Sequence, residues 1–248
     1  MWAFHLVLTS AGLLKVAIEV VAPQTKKPNM EILSMKLRNE YIDLLFTPDV
    51  HTLETLVQEQ KSAKGDFPSS LPVIFNGDPV HSHEAVNIGA SAVVLGTGDA
   101  KLVENLDVDI IWSVSSKDQV EVARAADQVK GSKGVTRVLL SESNFDNLVG
   151  KLPPHTSVIG VVDAMQQGGQ EILQGRRMGT AGCVQILVRR ACVGDDEDLP
   201  YVKFVQKGLT SKQSNAFAIS GLTGSANGHF GTGVSRKPSS VSWRRCRI

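Results

Sequence analysis

The chain has 248 residues, a formal net charge of +1, 42% hydrophobic and 21% charged residues, a balance suited to a globular protein with a full core. No basic field spreads along it, which argues against nucleic acid as a main partner. Its three cysteines, Cys183, Cys192 and Cys246, are too few and scattered for a disulfide framework or a zinc site, so a reducing compartment is the default.

The first 23 residues are apolar, but His5, Lys15 and Glu19 interrupt them, which makes a poor membrane span. They also lack the basic start and small-residue cleavage pattern of a secretory signal. The expectation is a protein that is not secreted and not in a membrane, cytoplasmic or organellar. The unusual start MWAFHLVLTS leaves a plastid address open.

Short β-branched runs then recur along the chain. The sequence predicts strands over Val16–Ala22, Ile42–Thr47, Leu71–Asn76, Ser91–Gly96, Asp109–Ser115, Thr136–Ser141, Ser157–Asp163 and Val184–Ala191. Their apolar runs are nearly continuous, as in parallel strands covered on both faces. Helical spacing fills several gaps. HTLETLVQEQKSAK repeats Leu53, Leu56 and Val57, and DQVEVARAADQVKG repeats Val120, Ala123 and Val129. NFDNLVGKL and QEILQGRRMGTAG are broken by glycine, and YVKFVQKGL follows Pro200. Ser82 and Ser116 are placed to cap helices, and Gly89, Gly131 and Gly182 to end them.

The clearest unit is LPVIFNGDPVHSHEAVNIGASAVVLGTG, Leu71–Gly98. It reads as strand, polar turn, short helix and second strand, which forces a parallel pair with a crossover. Eight such strands at this rhythm predict a (β/α)8 barrel over residues 15–211, with an open doubly wound sheet as the alternative. The rhythm is uneven. About 19 residues separate the first two strands, and AKLVENL barely makes two turns, so one covering helix is expected to be absent or distorted. Residues 212–248, glycine-rich and then basic, read as a C-terminal extension without its own core.

Function in such a barrel sits at the C-terminal strand ends. Those ends present Glu19, Thr47, Asn76 with Asp78, Thr97 with Asp99, Ser113 with Ser115, Ser141 with Glu142, Asp163, and Arg189 with Arg190. An inward carboxylate there suits acid–base work, and an inward arginine suits an anion. Asp78 before Pro79 reads better as a turn cap. Asp163 divides evenly between function and capping. Only one of Arg189 and Arg190 can face inward, and it suits an acidic neighbour as well as a phosphate. His81 and His83 diverge on a helix start and make a poor metal pair. The acidic run Gly194–Pro200 suits the start of the last helix better than calcium. No metal or cofactor is implied.

Several segments together resemble the indole-3-glycerol-phosphate synthase family. PVIFNGDPVHSHEAVNIGASAVVL is similar to that family's PVLRKDF strand, the helix after it and the GADAVLL strand. IDLLFTP resembles its strand ending in SVLT, and SVIGVVDAMQQGGQEILQGRRMGTAGCVQILV its ESG strand, helix and final strand. The resemblance covers about Val16–Val205. It implies a phosphate-binding barrel, a carbon–carbon lyase of tryptophan biosynthesis and a small phosphorylated metabolite as ligand. It also places the catalytic positions. The lysine of PVLRKDF falls on Asn76, Glu19 keeps the first-strand glutamate, and the lysine after it falls near Val21. The VEVH glutamate falls on Ser113, the INNR asparagines near Leu140 and Ser141, the ESG glutamate on Asp163, and the phosphate-binding glycine on Arg189. Acid–base roles go to Asp163, Glu19 and Asn76, and phosphate binding to Arg189, Ser113 and Ser141. With most catalytic letters replaced, the expected outcome is lost or altered activity. The alternative is a non-catalytic binding or regulatory barrel with a protein partner.

Overall fold

A computed structural model describes residues 14–21, 29–129, 135–164, 169–192 and 198–211. Strands β1 (Lys15–Val20), β2 (Leu44–Thr47), β3 (Val73–Phe75) and β4 (Ala92–Gly96) are followed by β5 (Asp109–Ser113), β6 (Thr136–Ser141), β7 (Thr156–Asp163) and β8 (Gln185–Cys192). All pair in parallel and in chain order, and β8 returns to β1 to close the barrel. The closed ring settles the choice between barrel and open sheet. The predicted extension lies outside the described residues, as does Gly131.

Two cores follow from the strand alternation. Inside the ring, Ala17, Phe46, Ile74, Ile111, Val161 and Leu187 pack together. Their neighbours in sequence, such as Ile18, Val73, Trp112 and Val188, face outward into a second core beneath the helices. This explains the unbroken apolar runs: both phases of each strand are buried. Apolar packing on two faces fixes the register, because a one-residue slip would exchange the two sets.

The helices are α1 (Met30–Asn39), α2 (Val50–Ser62), α3 (Ser82–Ile88), α4 (Lys117–Val129), α5 (Glu142–Leu148), α6 (Gln170–Thr180) and α7 (Asp198–Thr210). Helix α1 was not anticipated between the first two strands. Asn29 caps it, accepting from the Ile32 amide at 3.2 Å, and Met30, Leu33 and Leu37 form its buried stripe. Ser34 and Arg38 blur that stripe, because they are buried polar groups held by Glu59 of α2 at 2.6 and 3.3 Å. The distorted connection lies between β4 and β5 instead, where Thr97–Asn105 forms only a 3₁₀ segment. The connection is short, and Val103 is its buried residue.

Local chemistry of the Leu71–Gly98 unit matches its reading, with one exception. Asp78 caps the turn before α3 through the Val80 amide at 3.0 Å, and Gly89 ends α3 with φ +114°, where glycine avoids the Cβ penalty. Ser82 does not cap. It lies inside the first turn, and its buried hydroxyl has no hydrogen-bond partner among the described residues. Ser116 does cap α4, accepting from the Gln119 amide at 3.4 Å. Three strands end earlier than predicted, at Val20, Phe75 and Ser113.

Among the described residues no helix is long and apolar enough to cross a membrane.

Candidate functional site

Every residue expected to carry the chemistry stands two positions beyond an inward-facing one. Glu19 follows Ala17, Asn76 follows Ile74, Ser113 follows Ile111, Ser141 follows Leu139, Asp163 follows Val161 and Arg189 follows Leu187. With a period of two, all six are phased toward the mouth of the barrel. They do not form one cluster. The mouth divides into a closed side and an open side.

On the closed side, Glu19 is only 5% exposed. One carboxylate oxygen accepts from the Asn76 side-chain amide at 2.7 Å and the other from the Arg190 backbone N–H at 2.9 Å. A carboxylate can only accept, so the Asn76 NH₂ must face it. The Asn76 carbonyl oxygen is buried and has no hydrogen-bond partner among the described residues. The turn that sets Asn76 is sterically fixed, since a Cβ on Gly77 would collide with the Pro48 carbonyl oxygen and the Phe75 ring. Arg190 reaches Glu19 through an irregular β8. The register with β1 runs Ile18↔Val188 and then jumps to Val20↔Cys192. At this bulge Arg190 takes φ +56°, a left-handed conformation costly for a residue with a Cβ.

The β7–β8 edge of the mouth carries the second pair. Asp163 and Arg189 are register partners on adjacent strands. The guanidinium Nε donates to one Asp163 oxygen at 2.6 Å and Nη2 to the other at 3.0 Å, a two-point grip on the side edge of the arginine. Those hydrogen bonds are the main reason the Asp163 carboxyl titrates below its ordinary range. Partial burial opposes the shift, and the charges of Arg189 and Arg190 add to it. The same grip raises the Arg189 pKa. Arg189 is therefore the inward arginine, and its first partner is acidic. Asp163 caps no helix among the described residues and stays ionised near neutrality, which makes it a poor proton donor.

A cavity of about 340 Å³ opens beside this pair, over β4, β5 and β6. Ser113, Ser141 and Arg189, the three residues assigned to phosphate, all line it, together with Thr97 and Ser115. Glu19, Asn76 and Asp163 do not. Two lining residues were not anticipated. Gln119 of α4 accepts from the Ser115 amide at 2.6 Å and its hydroxyl at 3.0 Å. Asn144 of α5 donates to the Ser141 hydroxyl at 3.1 Å. Both stand in the first turn of the helix after a strand end, and that offset was the available signal. Among the described residues, Arg189 is the one ionisable group lining the cavity, beside serine and threonine hydroxyls, side-chain amides and the backbone of Gly96 and Gly98. Such a surface can hydrogen-bond an anion or a polyol but supplies no general base.

The other strand-end candidates have structural duties. Glu142 lies 3.9 Å from Arg177 on the helix layer, Thr47 is fully buried, and His81 contacts Glu84 at 3.1 Å. No group of three or more metal-ligating side chains occurs among the described residues.

No family model matches the chain, and no curated protein matches it in sequence. Solved structures do match in fold. A phospho-2-dehydro-3-deoxyheptonate aldolase from Thermotoga maritima superposes with a TM-score of 0.58 at 10% identity, covering 80% of this chain and 68% of that one. A thiamine phosphate pyrophosphorylase from Pyrococcus furiosus gives 0.53 at 14% identity, with coverage of 79% and 95%. An orotidine 5'-phosphate decarboxylase from Pyrococcus horikoshii gives 0.53 at 14%, with 77% and 98%. These likenesses establish the (β/α)8 barrel and do not single out the indole-3-glycerol-phosphate synthase family.

Proposed function

We propose that this barrel binds a small phosphorylated metabolite on the β4–β6 side of its mouth and does not run the indole-3-glycerol-phosphate synthase reaction. One observation carries the reading: each acid–base group that the resemblance nominates is committed to another protein group. Glu19 is held by Asn76 and the Arg190 N–H, and Asp163 by Arg189. Ring closure with loss of carbon dioxide and water needs a proton donor at the substrate carbonyl and an acid–base partner for dehydration. Asn76, where the family has lysine, donates hydrogen bonds but no proton. The ligand class is supported by the cavity's hydroxyls and the Arg189 guanidinium. Phosphate-bearing names among the fold neighbours point the same way.

The test has two arms. Incubation with the phosphorylated anthranilate–deoxyribulose substrate is expected to give no indole product above background, and turnover would overturn the loss of activity. Calorimetric titration with a simple phosphate monoester is expected to give saturable binding that Arg189→Gln abolishes.

A further inference from the structure

The arginine that serves the cavity is already occupied by an anion of the protein itself. Asp163 holds the side edge of the guanidinium through Nε and Nη2, while Nη1 makes no hydrogen bond among the described residues. Arg189 lines the cavity and Asp163 does not, so a ligand in the cavity and Asp163 share the same cation. The pair is about half exposed, with side-chain accessibilities of 46% and 52%, so neither group is sealed in place. Glu19 acts on Arg189 and Arg190 on Asp163. These four groups, two positive and two negative, balance one another in formal charge.

We propose that Asp163 is a specificity-determining competitor, which restricts the cavity to dianionic phosphate monoesters and rejects monoanions. The inference rests on the phosphate-binding reading above. A monoanion that draws the guanidinium away trades one single negative charge for another and gains nothing. A monoester near pH 7 carries close to two negative charges and three acceptor oxygens, so it outbids a carboxylate that offers one charge and two oxygens. Replacing Asp163 by Asn keeps an acceptor for Nε and removes the competing charge. An anion a few ångströms from Asp163, in a half-exposed setting, then gains roughly tenfold in affinity.

The experiment is calorimetric titration of the full chain at pH 7.5 and constant ionic strength with glycerol phosphate, a dianionic monoester, and dimethyl phosphate, a monoanion. The wild type is expected to bind glycerol phosphate and ignore dimethyl phosphate. Asp163→Asn is expected to bind glycerol phosphate about tenfold tighter and to gain dimethyl phosphate binding. Asp163→Ser, which also removes the charge, should behave alike, so misfolding of one variant does not decide the matter. If the wild type binds glycerol phosphate but neither variant binds it tighter, Asp163 merely positions Arg189 and the competitor role is wrong. Weaker binding by the variants has the same meaning. If no form binds either anion, the phosphate-binding reading falls and the competitor role falls with it.

Discussion

The two sides of the barrel mouth are built from the same strand-end positions yet are opposite in character. Around β1 and β3, Glu19 is buried and both its oxygens are paired, so that side is a structural joint. Around β4, β5 and β6, Ser113 and Ser141 stand at equivalent positions over an open cavity. Burial is what separates them. A buried carboxylate must have its hydrogen bonds met by protein, whereas a hydroxyl at an open rim can leave them to water or ligand. Inward phase alone therefore does not make a strand-end residue functional.

The sharpest way to break the contrast is Glu19→Ala. It strands the Asn76 amide and the Arg190 N–H without an acceptor, and is expected to cost about 3 kcal/mol of unfolding free energy. Ser113→Ala and Ser141→Ala should stay within about 0.5 kcal/mol. Denaturant melts compare the three, and similar losses at all sites would erase the distinction. Arg190→Gly is a smaller effect in the other direction. The backbone N–H that serves Glu19 is kept and the left-handed strain at φ +56° is relieved, for a gain of about 0.5–1 kcal/mol. A loss of stability would mean that the Arg190 side chain matters more than its backbone.

The smallest effect belongs to the Asp163–Arg189 edge. The folded carboxyl is lowered below its unfolded value, so its contribution is present above the unfolded pKa of about 3.9 and fades as the pH falls through the lower native value. Half-exposed, it is screened and small. Stability curves of wild type and Asp163→Asn are expected to run parallel from pH 8 to 5 and converge only below about pH 4. Convergence near neutrality would contradict the lowered titration.

Much of the frame was readable. The Leu71–Gly98 unit showed its strands, its Asp78 cap and its Gly89 terminator, because each is a local backbone requirement. The short connection at AKLVENL was visible because the segment barely makes two helical turns. Helix α1 was hidden because buried Ser34 and Arg38 break its stripe, and only Glu59, 21 residues beyond Arg38 in the chain, makes their burial tolerable. The candidate site was half legible: strand-end position and the family resemblance named six residues, but not their partners. Gln119 and Asn144 went unseen because helices, whose exact starts the pattern leaves loose, bring them to the cavity.

By itself, then, the sequence determined the succession of parallel strands, their two buried faces and the place of Asn76 at a strand end. These depend on apolar periodicity and residue identity, which act over a few neighbouring positions. Only the tertiary structure decided that Asn76 serves Glu19, that a bulge turns the Arg190 N–H to the same carboxylate, and that Arg189 is shared between Asp163 and the cavity. Those pairings join strands as far apart in the chain as β1 and β8, and closure of the ring brings them within hydrogen-bonding distance.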